Sequence, residues 1–371
     1  MRISMVGPVY PYRGGIAHFT TLMVKRLRAA GHEVQMISFK NQYPKILYPG
    51  KSDRDYSLGR IKVDADFIIR PLNPLTWIKA VATIQQFAPQ KVIIPWWTTF
   101  WSFCFSYIMT RLNKKGITTT LLIHNTLPHE ARNIDKWLTR RVLSLANRFI
   151  VMTAKEKNRL VSFLPTATDI TTVPLPISKF TNPTSLSREA ILQKFNLPED
   201  KVFVLFFGFI REYKGLHDLI HAMRLCVNAN PNIHLLIVGE FWNQKTAYEE
   251  QIKKENLQSF IHIFDQYIPD DEVPLFFKIS NLLAAPYTGG TQSAAIKTAL
   301  GYGLPVVLTQ IVTDELIEQL PELCKIVPPN APDILAKNIL AQLNEERLSE
   351  DQVEILFTKS WQNLLDAITH S

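Results

Sequence analysis

The clearest indication of the fold class is the segment Val202-Phe-Val-Leu-Phe-Phe207-Gly208-Phe-Ile-Arg211-Glu-Tyr-Lys214-Gly215. Its six leading apolar residues predict a strand that is buried on both faces, because no polar residue alternates with them. A helical pattern with one apolar face follows directly after Gly215. A strand, a loop with glycines and a helix in this order form the repeating unit of a parallel α/β sheet.

Short apolar strands alternate with helical patterns along the rest of the chain. The predicted strands cover residues 34–39, 91–94, 118–123, 148–152, 202–207, 234–238, 260–264, 282–285 and 305–308. The first helix is expected to begin near Ile16 and to end at Gly31. The fold class is therefore α/β, with two Rossmann-like, doubly wound parallel-sheet domains.

The two halves of the 371 residues differ in charge. Residues 1–180 carry 26 Lys and Arg against 9 Asp and Glu, a balance of +17, whereas residues 181–371 carry 15 against 24, a balance of −9. A basic half is typical of a domain that meets an anionic partner, although basic domains are also simply well solvated. With a Pro-rich hinge at 173–176, we expect domains at 1–177 and 178–353 and a closing segment at 354–371.

Cysteine usage and the start of the chain indicate where the protein works. Cys104, Cys226 and Cys324 lie far apart, and their odd number argues against a disulfide framework, as their spacing does against a metal site. The chain opens on a strand-like run without the features of a secretory signal. We expect a cytoplasmic protein, peripheral on the inner face of the cell membrane through its basic half.

Residues 92–109 hold seven aromatic side chains, Trp96 and Trp97 among them, and a basic cluster follows at 111–115. Pro95 delays any helix to near residue 99, which leaves about 16 Å of helix against about 30 Å of hydrocarbon. The segment is therefore too short to span a membrane. It suits an apolar acceptor pocket or an interfacial contact and, equally, a helix buried in the core.

Two glycine-containing loops each follow a predicted strand and precede a helix, where backbone N–H groups bind anions. Gly14 and Gly15 end the first loop. In the second, Arg211 adds a fork of donors and Lys214 a point charge, which suit a diphosphate. A plain structural turn and solvated loop cations are the alternatives.

A third loop reads Ala284-Ala-Pro-Tyr-Thr-Gly-Gly-Thr291-Gln-Ser-Ala294 and leads into a helix. Gly290, Thr291 and Ser293 stand at the predicted helix start, where N–H groups, hydroxyls and the helix dipole favour a phosphate or a sugar hydroxyl. Helix capping alone would also explain Thr291 or Ser293. Two such loops in one half predict one shared anion site at the crevice between the domains.

Together these residues resemble the glycosyltransferases of the GT-B fold and the family 4 (GT4) type. The likeness is carried by Gly208 with Lys214-Gly215 six residues later, Pro286 through Gly303-Leu-Pro-Val-Val, the Gly14-Gly15 loop, the strand that ends in His124, and residues 357–368 with Trp361. It covers nearly the whole chain. It implies an acceptor-binding first domain, a donor-binding second domain and a closing helix that packs back toward the first.

The resemblance also implies the chemistry: a nucleotide-sugar donor as co-substrate, a lipid-linked or saccharide acceptor, and a retaining transfer that needs no metal or other cofactor. His124, Lys214 and Arg211 are the implied catalytic residues, because His124 would contact the sugar and the two cations would neutralise the leaving diphosphate. The expected donor contacts are Gly14, Gly15, Arg211, Lys214, Glu240, Tyr267, Ile268, Gly290, Thr291, Gln292 and Ser293. The expected acceptor contacts are Trp96, Trp97 and His129.

The chain departs from the family pattern at two places. Family members carry an arginine directly after the first glycine, where this chain has Phe209, and its arginine comes two residues later. The two glutamates of the family, eight residues apart, fall at Gly290 and Thr298. We expect residues 291–293 and backbone N–H groups to replace them, and a degenerate, inactive site is the alternative.

Other functions fit less well. A dehydrogenase needs GxGxxG with an acidic residue about 20 positions later, which neither half has. Asp64 and Asp66 have the spacing of a GT-A metal site, without the second half of such a domain. A GT-B epimerase needs acid and base side chains that are scarce here. The alternative from another class is a non-catalytic protein that binds nucleotide sugars or an anionic surface, and nucleic acid is not the expected partner.

Overall fold

The computed structural model describes residues 1–43, 53–55, 61–127, 131–180 and 186–369. The chain divides into two compact units. The first unit takes the described residues up to Pro174 together with those from Gln362 onward, and the second takes Leu175–Trp361. The final helix therefore contributes residues to both units.

The first unit is a parallel sheet covered by helices. Its strands are β1 (Arg2–Val6), β2 (Glu33–Phe39), β3 (Asp66–Ile69), β4 (Lys91–Trp96), β5 (Thr118–Ile123), β6 (Arg148–Val151) and β7 (Ile170–Thr172). Its helices are α1 (Gly15–Ala29), α2 (Pro74–Phe87), α3 (Ser102–Asn113), α4 (Asn133–Leu143) and α5 (Ala154–Phe163). The strands lie in the order β3-β2-β1-β4-β5-β6-β7.

The second unit repeats this architecture. Its strands are β8 (Val202–Phe207), β9 (Ile233–Val238), β10 (Ile261–Phe264), β11 (Leu282–Ala285), β12 (Val306–Thr309) and β13 (Cys324–Val327). Its helices are α6 (Arg188–Lys194), α7 (Leu216–Ala229), α8 (Lys245–Lys254), α9 (Val273–Ile279), α10 (Ala294–Gly301), α11 (Glu315–Glu318), α12 (Pro332–Gln342) and most of α13 (Glu350–Thr369). The strand order is β10-β9-β8-β11-β12-β13. The prediction of two parallel-sheet α/β domains is confirmed.

Strand β8 is buried on both faces, as its apolar run predicts. Phe203 and Leu205 of β8 belong to one core cluster of the second unit, and Val204 and Phe206 belong to the cluster on the opposite face. Each buried side chain of this size contributes roughly 1.5–3 kcal/mol of transfer free energy. The sheet is thus fixed by two separate cores, and its carboxyl edge is left to the loops.

Each sheet has one point where the strand order reverses, between β1 and β4 in the first unit and between β8 and β11 in the second. In open parallel sheets, the loops after the two strands at this point leave in opposite directions and open a space for ligands. In the second unit, these loops are residues 208–215 and 286–293, the two loops that the sequence marks as anion sites.

The strand predicted at 91–94 ends too early, because β4 continues through Pro95 to Trp96. Proline lacks an N–H donor and is therefore tolerated only where no ladder bond is lost. The pairing of β4 with β1 ends at Met5↔Ile93, so that the missing donor of Pro95 lies beyond the ladder on that side.

The strands β3, β7 and β13, which the sequence analysis missed, lie at sheet edges. They are only three or four residues long and largely exposed or half-buried, so they lack a continuous buried apolar run. In the described part of the chain, every helix is too short or too polar to cross a bilayer.

Candidate active site

Lys214 is a buried cation at the carboxyl edge of the second sheet. Its ammonium donates to the carbonyl oxygen of Phe207 at an N···O distance of 3.4 Å and lies 5.5 Å from the ring centroid of Tyr287. No carboxylate pairs with it in the described part of the chain. Burial lowers the pKa of Lys214 to about 8, and the positive charge of Arg211 adds to the effect. Because buried charges are normally paired, this ammonium is suited to receive an anionic ligand.

Three glycines bring the surrounding loops together. Gly208 has φ +101, and a Cβ there would lie 2.9 Å from the Lys214 ammonium nitrogen. Gly215 has φ +71, and a Cβ would lie 1.9 Å from the carbonyl oxygen of Pro286. Gly239 has φ +138, and a Cβ would lie 2.3 Å from the carbonyl oxygen of Gly208. The loops after β8, β9 and β11 therefore touch through backbone that only glycine permits.

Arg211 is held by an aromatic side chain on the neighbouring loop. Its guanidinium carbon lies 4.0 Å from the ring centroid of Trp242, which is about half exposed and also contacts Phe209 edge to face. The backbone N–H of Trp242 donates to the carbonyl of Ile210 at 3.1 Å, so that the loops after β8 and β9 are also joined through backbone. Stacking over an indole orients the guanidinium fork without neutralising it.

The loop after β11 is anchored to the loop after β8 by backbone hydrogen bonds. The Thr288 and Gly289 N–H groups donate to the carbonyl oxygen of Tyr213 at 2.8 and 3.2 Å. Ser293 is the N-cap of α10, where its hydroxyl accepts from the Ile296 N–H, and it also bonds the Tyr287 hydroxyl at 3.1 Å. The helix cap that the sequence offers as an alternative role for Ser293 is therefore present in the structure.

The two positions that replace the family glutamates differ in environment. Gly290 has φ +110 and lies near the rings of Tyr213 and Tyr287. Thr298 is buried within α10, and its hydroxyl donates to the carbonyl of Ala294 at 2.9 Å. Since this hydroxyl is used by its own helix, Thr298 is poorly placed to take the role of the family glutamate at this position.

An almost fully buried ion pair joins α10 to the start of α11. The Lys297 ammonium lies 2.7 Å from Oδ2 of Asp314, and Asp314 also accepts hydrogen bonds from the N–H groups of Leu316 and Ile317 at 3.1 Å each. Burial lowers the pKa of Lys297, whereas the carboxylate of Asp314 raises it. This lysine therefore has the counter-charge that Lys214 lacks.

The other expected donor residues of this unit lie near the same edge of the sheet and differ in how far their side chains are exposed to solvent. Thr291 is buried and Gln292 is partly buried between the third loop and α10. Glu240 follows β9, and its carbonyl accepts from the Ile210 N–H at 2.9 Å. Tyr267 is partly exposed, whereas the Ile268 side chain belongs to the core, so that only its backbone is available to a ligand.

In the first unit, His124 follows β5 in a buried position. The backbone N–H of His124 donates to the backbone carbonyl of Trp96 at 2.9 Å, and the His124 ring meets that of Phe19 edge to face, with 5.3 Å between the ring centroids. Burial lowers the pKa of His124 to about 3, so the ring is neutral at physiological pH. A neutral imidazole is suited to hydrogen bonding with a sugar hydroxyl and not to holding a phosphate by charge.

The loop after His124 is held by a buried carboxylate that the sequence analysis missed. Glu156 of α5 accepts hydrogen bonds from the Thr126 N–H at 2.7 Å and the Thr126 hydroxyl at 2.8 Å, and it pairs with Arg159 at 2.7 Å. The Thr153 hydroxyl caps the same helix by accepting from the Glu156 N–H. A Thr followed three positions later by Glu is the sequence signal of a capping box, which could have indicated this residue.

The glycine loop of the first unit leaves its helix end open. Gly14 is the N-cap of α1 with φ +103, no side chain caps the helix there, and a Cβ on Gly14 would meet nothing within 4 Å. Gly14 and Gly15 are both exposed. Their N–H groups are therefore accessible to a ligand, as the sequence analysis expects.

The expected acceptor residues are not equally available. Trp96 is fully buried in the core of the first unit, and its indole N–H donates to the carbonyl of Thr126 at 3.3 Å, which agrees with the alternative of a core role. Trp97 is half-buried, and its indole N–H donates to the Tyr43 hydroxyl at 3.0 Å. His129 lies outside the described residues.

Comparison with known protein families identifies the chain. Residues 187–356 match the family model of "Glycosyl transferases group 1", and residues 13–179 match that of "Glycosyltransferase Family 4". Together the two models account for most of both units. The chain belongs to the GT-B glycosyltransferases of the family 4 type.

Individual relatives of this glycosyltransferase are distant. The protein YtcC of Bacillus subtilis is 27% identical over 179 residues, which are 44% of each chain, so that this chain spans less than half of that relative's length. The α-monoglucosyldiacylglycerol synthase of Acholeplasma laidlawii is 21% identical over 330 residues, 83% of this chain and 80% of the relative. The structure of HepE from Anabaena in complex with UDP has a TM-score of 0.69 at 16% identity and covers 100% of both chains.

These comparisons confirm the GT-B fold and the glycosyltransferase class that the sequence analysis expects. They leave the roles of individual residues as predictions. Trp242 and Tyr213 join the expected residues of the second unit, because one orients Arg211 and the other anchors the third loop. The aromatic pair Phe241-Trp242, in the loop after the strand predicted at 234–238, was the available signal for Trp242.

Replacement of Gly215 by alanine is expected to destabilise the glycosyltransferase through its contact with Pro286. The left-handed conformation alone costs alanine about 1–2 kcal/mol, and displacement of the Pro286 backbone should add about 1–3 kcal/mol. The control is Gly116→Ala, since Gly116 has φ +72 and nothing within 4 Å of a Cβ. Denaturant unfolding of both variants isolates the contact, and equal losses would show that the loops do not depend on it.

Replacement of Glu156 by alanine is expected to lower the free energy of unfolding by about 2–4 kcal/mol, because the buried Thr126 N–H and hydroxyl lose their acceptor. Glu33→Ala, which removes an exposed pair with Arg2, should change it by less than about 1 kcal/mol. Urea unfolding measures both. Similar values for the two variants would contradict a role of Glu156 in holding this loop.

Proposed function

We propose that this glycosyltransferase moves a hexosyl group from a nucleotide-sugar donor to a lipid-linked or saccharide acceptor in the synthesis of a cell-surface glycan or polysaccharide. UDP-sugars are the donors that we favour, since HepE of Anabaena has been solved with UDP and with UDP-glucose. The proposal places the enzyme in the cytoplasm, at the inner face of the cell membrane.

The observation that carries the proposal is the buried ammonium of Lys214 without a carboxylate partner in the described part of the chain. Its neighbours are the kind that a diphosphate requires: a glycine with positive φ at 208, the oriented guanidinium of Arg211, and the capped start of α10. A bound diphosphate would supply the counter-charge that the fold leaves out.

The proposed reaction follows from the leaving group. The bond between the anomeric carbon and the donor phosphate breaks while the acceptor oxygen attacks from the same face, and the acceptor proton passes to the departing phosphate oxygen. Lys214 and Arg211 stabilise the negative charge that develops on the diphosphate, so that the step requires neither a metal nor a protein base. Front-side attack retains the anomeric configuration.

The charge of the first half supports an anionic or membrane-bound acceptor. Residues 1–180 carry a balance of +17, and such a surface attracts anionic lipids and lipid-linked phosphates. The relative from Acholeplasma laidlawii is named as a synthase of a glycolipid, which fits the same class of acceptor.

One observation favours a second candidate. The family glutamates are replaced by Gly290 and Thr298, so a protein that binds nucleotide sugars without transferring them is the other function consistent with the site. Thermal stabilisation by a panel of nucleotide sugars identifies the donor in either case, because a ligand at 100 times its dissociation constant stabilises by about 2.7 kcal/mol. Release of UDP in the presence of acceptors separates transfer from binding.

Replacement of Lys214 by alanine is expected to reduce turnover by roughly 30- to 1,000-fold, which corresponds to about 2–4 kcal/mol of lost transition-state stabilisation. Thermal unfolding should show a folded protein, because the change removes a buried charge. The matched control is Lys253→Ala, an exposed lysine on α8, which should turn over like the parent. Parental turnover in the Lys214 variant would remove the central assignment.

UDP affinity is expected to fall as the pH rises through about 8, by up to about tenfold per pH unit, because the free protein then loses the proton of Lys214. Calorimetric titration between pH 6.5 and 9.5 measures the effect. Lys214→Arg keeps its charge in this range and should bind UDP with a flatter pH profile.

The same lowered pKa has an opposite consequence for stability without ligand. Between about pH 8 and the ordinary lysine range, the unfolded chain holds the Lys214 proton and the folded protein does not, so the free energy of unfolding should rise with pH. Lys214→Met should lack this increment. Matching pH profiles of the parent and the methionine variant would contradict the burial of an unpaired ammonium.

A further inference from the structure

The helices α2, α3 and α4 of the first unit form a neighbouring set with an unusual charge balance. They contact one another in this order and contain five basic residues, namely Lys79, Arg111, Lys136, Arg140 and Arg141. Their acidic residue is Asp135, which accepts hydrogen bonds from the Thr99 hydroxyl at 2.7 Å and the Arg132 N–H at 3.0 Å. The carboxylate is thus used to cap α4, and the helix surfaces are otherwise cationic or neutral.

Aromatic and arginine side chains of α3 and α4 contact one another at the junction of these helices. Phe103, Tyr107 and Arg111 follow one another at four-residue spacing on α3, and the Arg111 guanidinium lies 5.2 Å from the Tyr107 ring centroid. The Trp137 ring contacts that of Phe103 at 6.4 Å, and the Arg141 guanidinium lies 5.8 Å from both rings. We refer to these five residues as the aromatic–arginine face.

Large apolar side chains of this region are exposed to an extent that folding does not explain. Phe103 is 54% exposed, Trp137 is 51% exposed, and Ile134 on the same helix is 56% exposed. Leu72 and Leu75 at the start of α2 are exposed at 79% and 73%. Clusters of exposed apolar side chains beside cations mark an interaction surface in soluble proteins.

The chemistry of this surface fits an anionic lipid bilayer. Aromatic rings take positions at the level of lipid headgroups, and arginines bind phosphate oxygens there while their stems lie along apolar surface. The exposed side chains of Ile134 on α4 and of Leu72 and Leu75 at the start of the neighbouring α2 suit acyl chains. They have no counterpart on a nucleic-acid strand, which binds by stacking and backbone charge. The face therefore favours lipid over RNA or single-stranded DNA.

We propose that the aromatic–arginine face is the surface by which the first unit docks on an anionic lipid bilayer. The biological role of this docking rests on the proposed function, since docking would bring a lipid-linked acceptor to the enzyme. Arginine side chains keep their charge at any physiological pH, so the docking is governed by lipid charge and ionic strength.

The first experiment is co-sedimentation of the full chain with vesicles of phosphatidylcholine alone or with 30% phosphatidylglycerol. Binding should require the anionic lipid. Arg111→Gln/Arg141→Gln should weaken the partition by about tenfold or more at low salt, and Phe103→Ala/Trp137→Ala should weaken it similarly. The matched control is Lys25→Gln/Lys157→Gln, which removes the same charge from exposed sites on α1 and α5 and should change binding by about twofold or less.

A second readout reports the depth of a single side chain. Vesicles with brominated acyl chains should quench the fluorescence of the parent more than that of Trp137→Phe, because bromine quenches only indoles that reach the acyl region. Tighter binding of a single-stranded oligonucleotide than of anionic vesicles would overturn the proposal. So would equal vesicle binding by the face variants and the control pair, or quenching that is unchanged in Trp137→Phe.

UDP-induced thermal stabilisation of the same variants separates this inference from the proposed function. Face variants that lose vesicle binding but keep UDP stabilisation support the docking surface. A parent that binds vesicles through the face but is not stabilised by nucleotide sugars would leave the docking surface standing and contradict the proposed donor. Thermal unfolding of each variant without ligand confirms that the exposed substitutions leave the fold intact.

Discussion

The proposed donor site depends on one interaction that the described part of the fold does not supply, a carboxylate counter-charge for Lys214. Desolvation opposes the charged form of this side chain, and the adjacent Arg211 opposes it further. Lys297, on α10 of the same unit, shows the ordinary solution, in which Asp314 neutralises a buried ammonium. The contrast between these two lysines supports the proposal that Lys297 is a structural cation and that Lys214 is kept for a ligand.

Glycine geometry makes this arrangement possible. A buried ammonium needs close backbone around it, and the carbonyl groups of Gly208 and Pro286 approach neighbouring glycines more closely than any Cβ permits. The approach of Pro286 to Gly215 joins the loops after β8 and β11, where the order of strands reverses, so the proposed ligand space and the charge beside it arise from the same topology. The first unit repeats the topology with a different chemistry, a neutral His124 and an open helix start at Gly14.

The sequence was sufficient for the fold class and for the loops of the site, and insufficient for the contacts within it. Continuous apolar strands such as β8 are fixed by burial on both faces and can be read directly, whereas β3, β7 and β13 lie at edges, where short and half-polar strands suffice. Lys214 was identifiable from its spacing to Gly208. The support of Trp242 for Arg211 and of Glu156 for the His124 loop depends on pairs more than 25 residues apart in sequence, which a single chain does not reveal.

Helix α13 has a practical consequence for dissecting the protein. Trp361 is buried in the second unit, where its indole bonds the carbonyl of Ile177, while Ile368 is buried in the first, where its carbonyl accepts from the ammonium of Lys91. A fragment cut at the junction after Pro174 would strip the amino-terminal half of its last helical turns and deny Lys91 that acceptor. Isolated halves for separate expression therefore call for grafting residues 362–369 back onto the first, not for a simple scission.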